Sequence, residues 1–276
     1  MNKLKPLPEE WSGLLNNEQK EAIENINGPL LIIAGAGSGK TRVLTYRYAH
    51  LIKTYGINFE NVLAITFTNK AANEMKDRIS DLLNLELSPK WISTFHSLCV
   101  KMLRIHGHLI GFNNNFTIYD QSDSTKLVRN CMRDSDIDTK QYSPKRIQAH
   151  ISSLKNQRIL PGEAVEFAQS FFDVKVAEIY SSYQKKLMLA NSMDFDDLLI
   201  KAVELLETSD KSLNYWSSKF QYIMIDEYQD TNMVQYRLVE LLASKHKNIC
   251  VVGDSDQSIY AFRGADIRNI EEFESD

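Results

Sequence analysis

The sequence predicts an α/β fold: a parallel sheet flanked by helices and interrupted by a mostly helical insertion. Three observations predict it. Four short apolar runs, Leu30–Ala34, Val62–Phe67, Tyr222–Asp226 and Ile249–Gly253, read as strands buried on both faces, and Trp91–Phe95 reads as a fifth. Amphipathic stretches Gly39–Lys53, Asn69–Leu83, His96–His106 and Asn232–Ser244 separate most of them, the alternation expected of a three-layer fold with right-handed crossovers. After Phe116–Asp120, the chain from Gln121 to about Asn191 offers helical segments and no strand pattern. This places an insertion at residues 109–191, between residues 1–108 and 192–276 of one α/β domain.

The first strand leads into Ala34-Gly35-Ala36-Gly37-Ser38-Gly39-Lys40-Thr41. Successive small residues let the backbone curl so that several N–H groups face one hollow, which suits phosphate oxygens. Lys40 can reach the β/γ-phosphates, and the Thr41 hydroxyl can ligand Mg²⁺. The following helix aims the positive end of its dipole at the same place. Ala34 stands where this pattern usually carries its first glycine. A strand before and a helix after complete the context for binding a nucleoside triphosphate.

Further along, the apolar run Tyr222–Ile225 ends in Asp226-Glu227. The first carboxylate can hold the metal shell, and the second can orient or deprotonate a water. The last run opens into Gly253-Asp254-Ser255-Asp256-Gln257-Ser258-Ile259-Tyr260-Ala261-Phe262-Arg263. Gln257 lies close behind a strand end, where a γ-phosphate is within reach. Tyr260, Phe262 and Arg263 supply ring faces and a cation, as single-stranded nucleic-acid channels do. Within the insertion, Lys140, Lys145, Arg146, Lys155 and Arg158 share a stretch without an acidic residue, interleaved with Tyr142 and His150. Such a segment reads as a solvated face or as a phosphate contact.

Composition narrows the class. The net charge of −4 gives no global signature of nucleic-acid binding, so any such surface must be local. The three cysteines, Cys99, Cys131 and Cys250, form no Cys-x-x-Cys pair, which argues against a zinc site or disulfide framework and fits a reducing cytoplasm. Cys250 lies in an apolar run and reads as a small buried hydrophobe. The first residues show no signal-peptide pattern, and no run reaches the roughly eighteen apolar residues of a membrane span, so no membrane partner is expected.

Taken in order, these motifs closely resemble the N-terminal half of superfamily 1 DNA helicases of the UvrD/Rep/PcrA type, from Asn16 to Ala265. The resemblance implies a RecA-like domain 1A interrupted by a helical domain 1B, with ATP and Mg²⁺ as ligands. It makes Gln19 the adenine reader, Arg42 an adenine-stacking residue, and Lys40, Asp226, Glu227 and Gln257 the catalytic set. It lays Ile65–Ala72 along single-stranded DNA, with Phe67 stacking on a base and Asn69 beside it, and it gives Thr94 and His96 backbone contacts. Gln257 would couple the γ-phosphate to the DNA grip through Phe67, Tyr260 and Phe262, with Arg263 as a further DNA contact. Phe262 replaces the family's usual tryptophan. Met193–Leu199 also looks like a family motif, although a helix start with Asp194 as N-cap explains it as well.

The implied activity is 3′-to-5′ translocation on single strands and unwinding at single-strand/duplex junctions, in replication or repair. The family's second motor domain (2A/2B), with its arginine fingers, is absent before Asp276. The chain is therefore expected to be a monomeric N-terminal portion that binds ATP and DNA weakly and does not unwind. The alternatives are a subunit of an AddA/RecB-like helicase–nuclease and a nucleotide-dependent DNA-binding module.

Overall fold

A computed structural model describes residues 4–35, 37–85 and 89–254. The described residues contain seven strands: β1 (Leu30–Ile33), β2 (Val62–Thr66), β3 (Ile92–Thr94), β4 (Thr117–Tyr119), β5 (Ser192–Asp194), β6 (Tyr222–Ile225) and β7 (Ile249–Gly253). The described residues form two compact units. One comprises the chain up to Leu98, Asp210–Thr231 and the chain from Val239; the other comprises Cys99–Ser209 and Asn232–Leu238.

The first unit holds the predicted parallel sheet, in the order β1-β7-β6-β2-β3. Its register aligns the carboxyl ends of neighbouring strands: Ile33 lies opposite Gly253, Ile225 opposite Val251, and Thr66 opposite Thr94. β1, β2 and β6 end one residue before their apolar runs do, at Ile33, Thr66 and Ile225. The helices Lys40–Lys53 and Asn69–Leu83 bury Leu44, Tyr48, Leu51, Met75 and Ile79 against Val62, Ala64, Met224 and Val252. Each large apolar side chain so buried contributes roughly 1.5–3 kcal/mol. Cys250 belongs to this core, and burial pushes its thiol pKa up, which leaves it inert.

In the second unit, the helices Gln121–Asp134, Pro144–Asn156 and Phe171–Leu189 pack around Val128, Cys131, Ile147, Ile151, Val176 and Tyr180. Side-chain caps fix two of the helix starts: Asp120 accepts from the Asp123 N–H, and Ser170 from that of Asp173. The expected insertion, 109–191, falls within this unit. A second, two-stranded parallel sheet joins β4 to β5. Three-residue strands are too short to show a period of two, so β5 left no strand pattern in the sequence.

The basic segment is neither uniformly solvated nor uniformly available to phosphate. Lys140, Lys145 and Arg146 are exposed, but Lys155 is 1% exposed. Its ammonium sits 2.7 Å from both Asp194 Oδ2 and Asp197 Oδ1. Arg158 pairs with Glu207 at 2.8 Å. Lys155 shares one helix face with buried Ile147 and Ile151, each four positions apart. Among the described residues, no helix is long and apolar enough to cross a membrane.

Candidate functional site

β1 ends at Ile33, and the Ala34 N–H continues its pairing by donating to the Gly253 carbonyl at 3.1 Å. The chain then turns through Gly35–Gly39 into the helix beginning at Lys40. Gly37 (φ 75°) and Gly39 (φ 87°) take the left-handed conformation that side chains resist, which is why glycine is needed at these two positions. Gly39 caps the helix and accepts from the Val43 N–H at 3.0 Å.

A further constraint acts on Gly39: a Cβ there would lie 2.9 Å from Gln19 Nε2. That amide donates to the Ser38 carbonyl at 3.0 Å, and Gln19 also closes a capping box with Asn16. Gln19, the expected adenine reader, is thus latched to the glycine loop. We expect Gly39→Ala to lower stability by about 1–2 kcal/mol through its backbone conformation. An unchanged denaturation midpoint would contradict this geometry.

The loop brings Lys40 and Thr41 to the strand-end carboxylates. Lys40 Nζ is buried and lies 3.0 Å from Asp254 Oδ2, just beyond β7. Thr41 Oγ1 donates to Asp226 Oδ2 at 2.9 Å, just beyond β6. Asp226 is buried, and that burial raises its pKa, reinforced by the Glu227 charge and eased by the Thr41 hydroxyl and the Lys40 charge. A carboxylate in this condition gains from a nearby cation.

Glu227 follows in a left-handed conformation (φ 51°), uncommon for a residue with a side chain. Its Oε2 accepts from Gln229 Nε2 at 2.7 Å, while Gln229 Oε1 accepts from the Asp254 N–H at 3.0 Å. Gln229, 1% exposed, therefore ties the β6 end to the β7 end. Sequence reasoning missed the Lys40–Asp254 pair and this bridge. Asp254 follows directly after an apolar run that pairs with β1, and that position was the available signal.

Arg42 is exposed, with its guanidinium 5.6 Å from the centre of the Tyr46 ring. It lines a hollow of about 380 Å³ together with Thr45, Tyr46, Arg78, Asp81 and Leu82. On the same carboxyl edge, β2 runs into half-buried Phe67 and exposed Asn69. Thr68 caps the next helix by accepting from the Ala71 N–H. Beside it β3 ends at Thr94, whose hydroxyl donates to Ser97 Oγ at 3.0 Å and accepts from the Ser97 N–H. His96 is half-buried. Ala36, Gln257, Tyr260, Phe262 and Arg263 lie outside the described residues.

One sheet edge thus presents a glycine loop, a lysine and a hydroxyl on one side, and an aromatic with polar helix starts on the other. Strand, glycine loop, helix and strand-end carboxylates together define a P-loop α/β domain. The chain belongs to the family described as UvrD/REP helicase N-terminal domain, whose model matches residues 15–276. It is 50% identical over 262 residues to the ATP-dependent DNA helicase PcrA of Staphylococcus aureus (strain Mu50 / ATCC 700699), an alignment covering 95% of this chain and 36% of that protein. The PcrA helicase of Staphylococcus epidermidis (strain ATCC 12228 / FDA PCI 1200) gives the same figures, 50% identity across 95% of this chain and 36% of the relative. The chain therefore spans about a third of the length (36%) of the curated relatives it matches.

Proposed function

We propose that this chain is the ATP-binding 1A/1B portion of a 3′-to-5′ DNA helicase, the part that couples nucleotide to single-stranded DNA. The observation that carries the reading is the strand-end network in which Lys40 and Thr41 each already hold an oxyanion, Asp254 and Asp226. An ammonium and a hydroxyl satisfied by carboxylate oxygens are equally suited to phosphate oxygens. The donor set therefore fits a nucleoside triphosphate. Thr41 and Asp226 are the residues that would hold Mg²⁺, which supplies positive charge to the phosphate oxygens when bound.

The division of labour follows from the side chains. Lys40 stabilises charge on the transferring phosphoryl group, Gln19 and Arg42 engage the base, and the Glu227 carboxylate takes a proton from the attacking water. Phe67, Asn69, Thr94 and His96 form the single-strand side of the same sheet edge. Gln257, Tyr260, Phe262 and Arg263 would link phosphate state to base stacking. In the full protein this serves unwinding at single-strand/duplex junctions in replication or repair. Arginine fingers are worth about 10³–10⁵ in turnover in P-loop enzymes. Where no arginine finger from a partner domain reaches the phosphates, this 1A/1B portion is expected to bind ATP and DNA weakly, as a monomer, and to turn over slowly.

Phe67→Ala tests the DNA half of this reading. Base stacking on an aromatic is worth roughly 1–3 kcal/mol, so affinity for oligo-dT should fall by about five- to a hundredfold while nucleotide affinity is retained. Unchanged oligo-dT binding by fluorescence anisotropy would contradict it. Strong DNA-stimulated ATP turnover by this chain alone would contradict the assignment of slow hydrolysis.

A further inference from the structure

A second polar site lies in the second unit. The end of the helix Phe95–His106 and the turn at Asn113-Asn114-Asn115 enclose a hollow of about 500 Å³ lined by Arg104, Ile105, His108 and the three asparagines. Among the described residues no carboxylate lines it, and the sequence carries no acidic residue from Pro89 to Tyr119, although the chain as a whole is net acidic.

Arg104 is held in place rather than free to sample solvent. Its guanidinium lies 3.8 Å over the ring of buried Phe116, and Nη1 donates to the Asn114 carbonyl. A guanidinium carries five N–H donors in a planar fork, so further donors remain after the Asn114 contact. The turn is pinned from behind as well: the Asn113 N–H donates to Asn191 Oδ1 at 2.9 Å, and Asn191 Nδ2 donates to Asn115 Oδ1. All three asparagines and His108 stay exposed. A fixed cation surrounded by carboxamides and an imidazole, with no competing anion, matches a phosphate diester: the charge is neutralised by the fork and the remaining oxygens meet amide N–H groups.

We propose that the Arg104–His108–Asn114 hollow is an additional phosphodiester-binding site for single-stranded nucleic acid. The proposal rests on the reading of this chain as a DNA-binding domain and adds a contact point in the second unit. A free phosphate ion would meet the same donors, and the experiment separates the two.

Binding of labelled oligo-dT to the full chain is measured across a salt series for wild type, Arg104→Gln, Asn114→Asp and Phe67→Ala. Asn114→Asp keeps the backbone carbonyl that Arg104 holds, so it tests the hollow even if Arg104→Gln perturbs folding. We expect either hollow variant to weaken binding about tenfold at low salt, and Arg104→Gln to reduce the log–log salt slope by about one. Full affinity and slope in both hollow variants, with Phe67→Ala impaired, overturn the hollow and leave the DNA reading standing. Absence of oligo-dT binding by the wild-type chain overturns the DNA reading and the hollow with it. Inorganic phosphate at constant ionic strength provides the last arm: phosphate binding that Arg104→Gln removes, without loss of oligo-dT affinity, assigns the hollow to a free anion and overturns the proposal.

Discussion

Lys155→Met is expected to cost the second unit about 3–5 kcal/mol, the range for breaking a buried ion pair by deleting one partner. The ammonium is fully enclosed, with Asp194 and Asp197 each 2.7 Å away. Tyr183 donates to Asp194 at 2.8 Å and Gln184 to Asp197 at 2.9 Å. Burial opposes the charge on Lys155, but the two carboxylates outweigh it and hold the amine protonated well above its ordinary range. Burial likewise works against Asp194, where the Lys155 charge prevails and keeps the pKa low, and against Asp197, where burial prevails and pushes it up to about 6.

With methionine at position 155, both carboxylates lose their cation and their folded-state pKa values rise above the unfolded values. A carboxyl raised in the folded state stabilises while protonated and loses that contribution as pH increases. The deficit of Lys155→Met should therefore be smaller near pH 5 than near pH 8. Adding Asp194→Asn and Asp197→Asn should recover part of the loss, because no buried charge then remains uncompensated. Trp11, Trp91 and Trp216 all belong to the first unit, so far-UV circular dichroism, rather than tryptophan fluorescence, is the appropriate readout. A denaturation midpoint equal to wild type at both pH values would show that the cluster is not holding the unit together.

Lys40→Met is expected to have the largest functional effect. The substitution removes a buried ammonium that pairs with Asp254, leaving that carboxylate without its 3.0 Å partner at the place assigned to the phosphates. A charged hydrogen bond is worth roughly 1.5–3 kcal/mol, which corresponds to about a ten- to hundredfold loss of triphosphate affinity. Repulsion from Asp254 adds to the loss. Asp254→Asn gives the opposite control: it keeps the side chain's shape, removes the competing negative charge and should raise triphosphate affinity. Equal affinity of wild type and Asp254→Asn would show that Asp254 does not compete for the lysine.

The sheet and the backbone of the glycine loop were largely legible because they depend on local chemistry. Leu30–Ile33, Val62–Thr66 and Ile249–Gly253 are continuous apolar runs, and Gly37 and Gly39 occupy positions with positive φ. The Asn69–Leu83 helix begins and ends where its pattern does. Asp194 caps the helix Phe195–Thr208, so the local explanation offered for Met193–Leu199 describes its backbone role. What the sequence concealed are pairings between distant segments. Lys155 finds its carboxylates some forty positions away, and it had been grouped with exposed neighbours whose composition it shares. Gln229 and Asp254 meet only because β6 and β7 are adjacent in the sheet. β4 and β5 are too short to announce themselves, and their pairing joins residues far apart in the chain.

Lys40, Thr41 and Asp226 are expected to form one magnesium–triphosphate site at the carboxyl edge of the sheet. Calorimetric titration of ATP into the chain, with and without Mg²⁺, tests it most directly when run on wild type, Lys40→Met and Asp226→Asn. Expected are saturable binding by wild type that Mg²⁺ strengthens, loss of most of that affinity in Lys40→Met, and loss of the Mg²⁺ dependence in Asp226→Asn. Wild-type binding that neither substitution changes, or no binding at all, would contradict it.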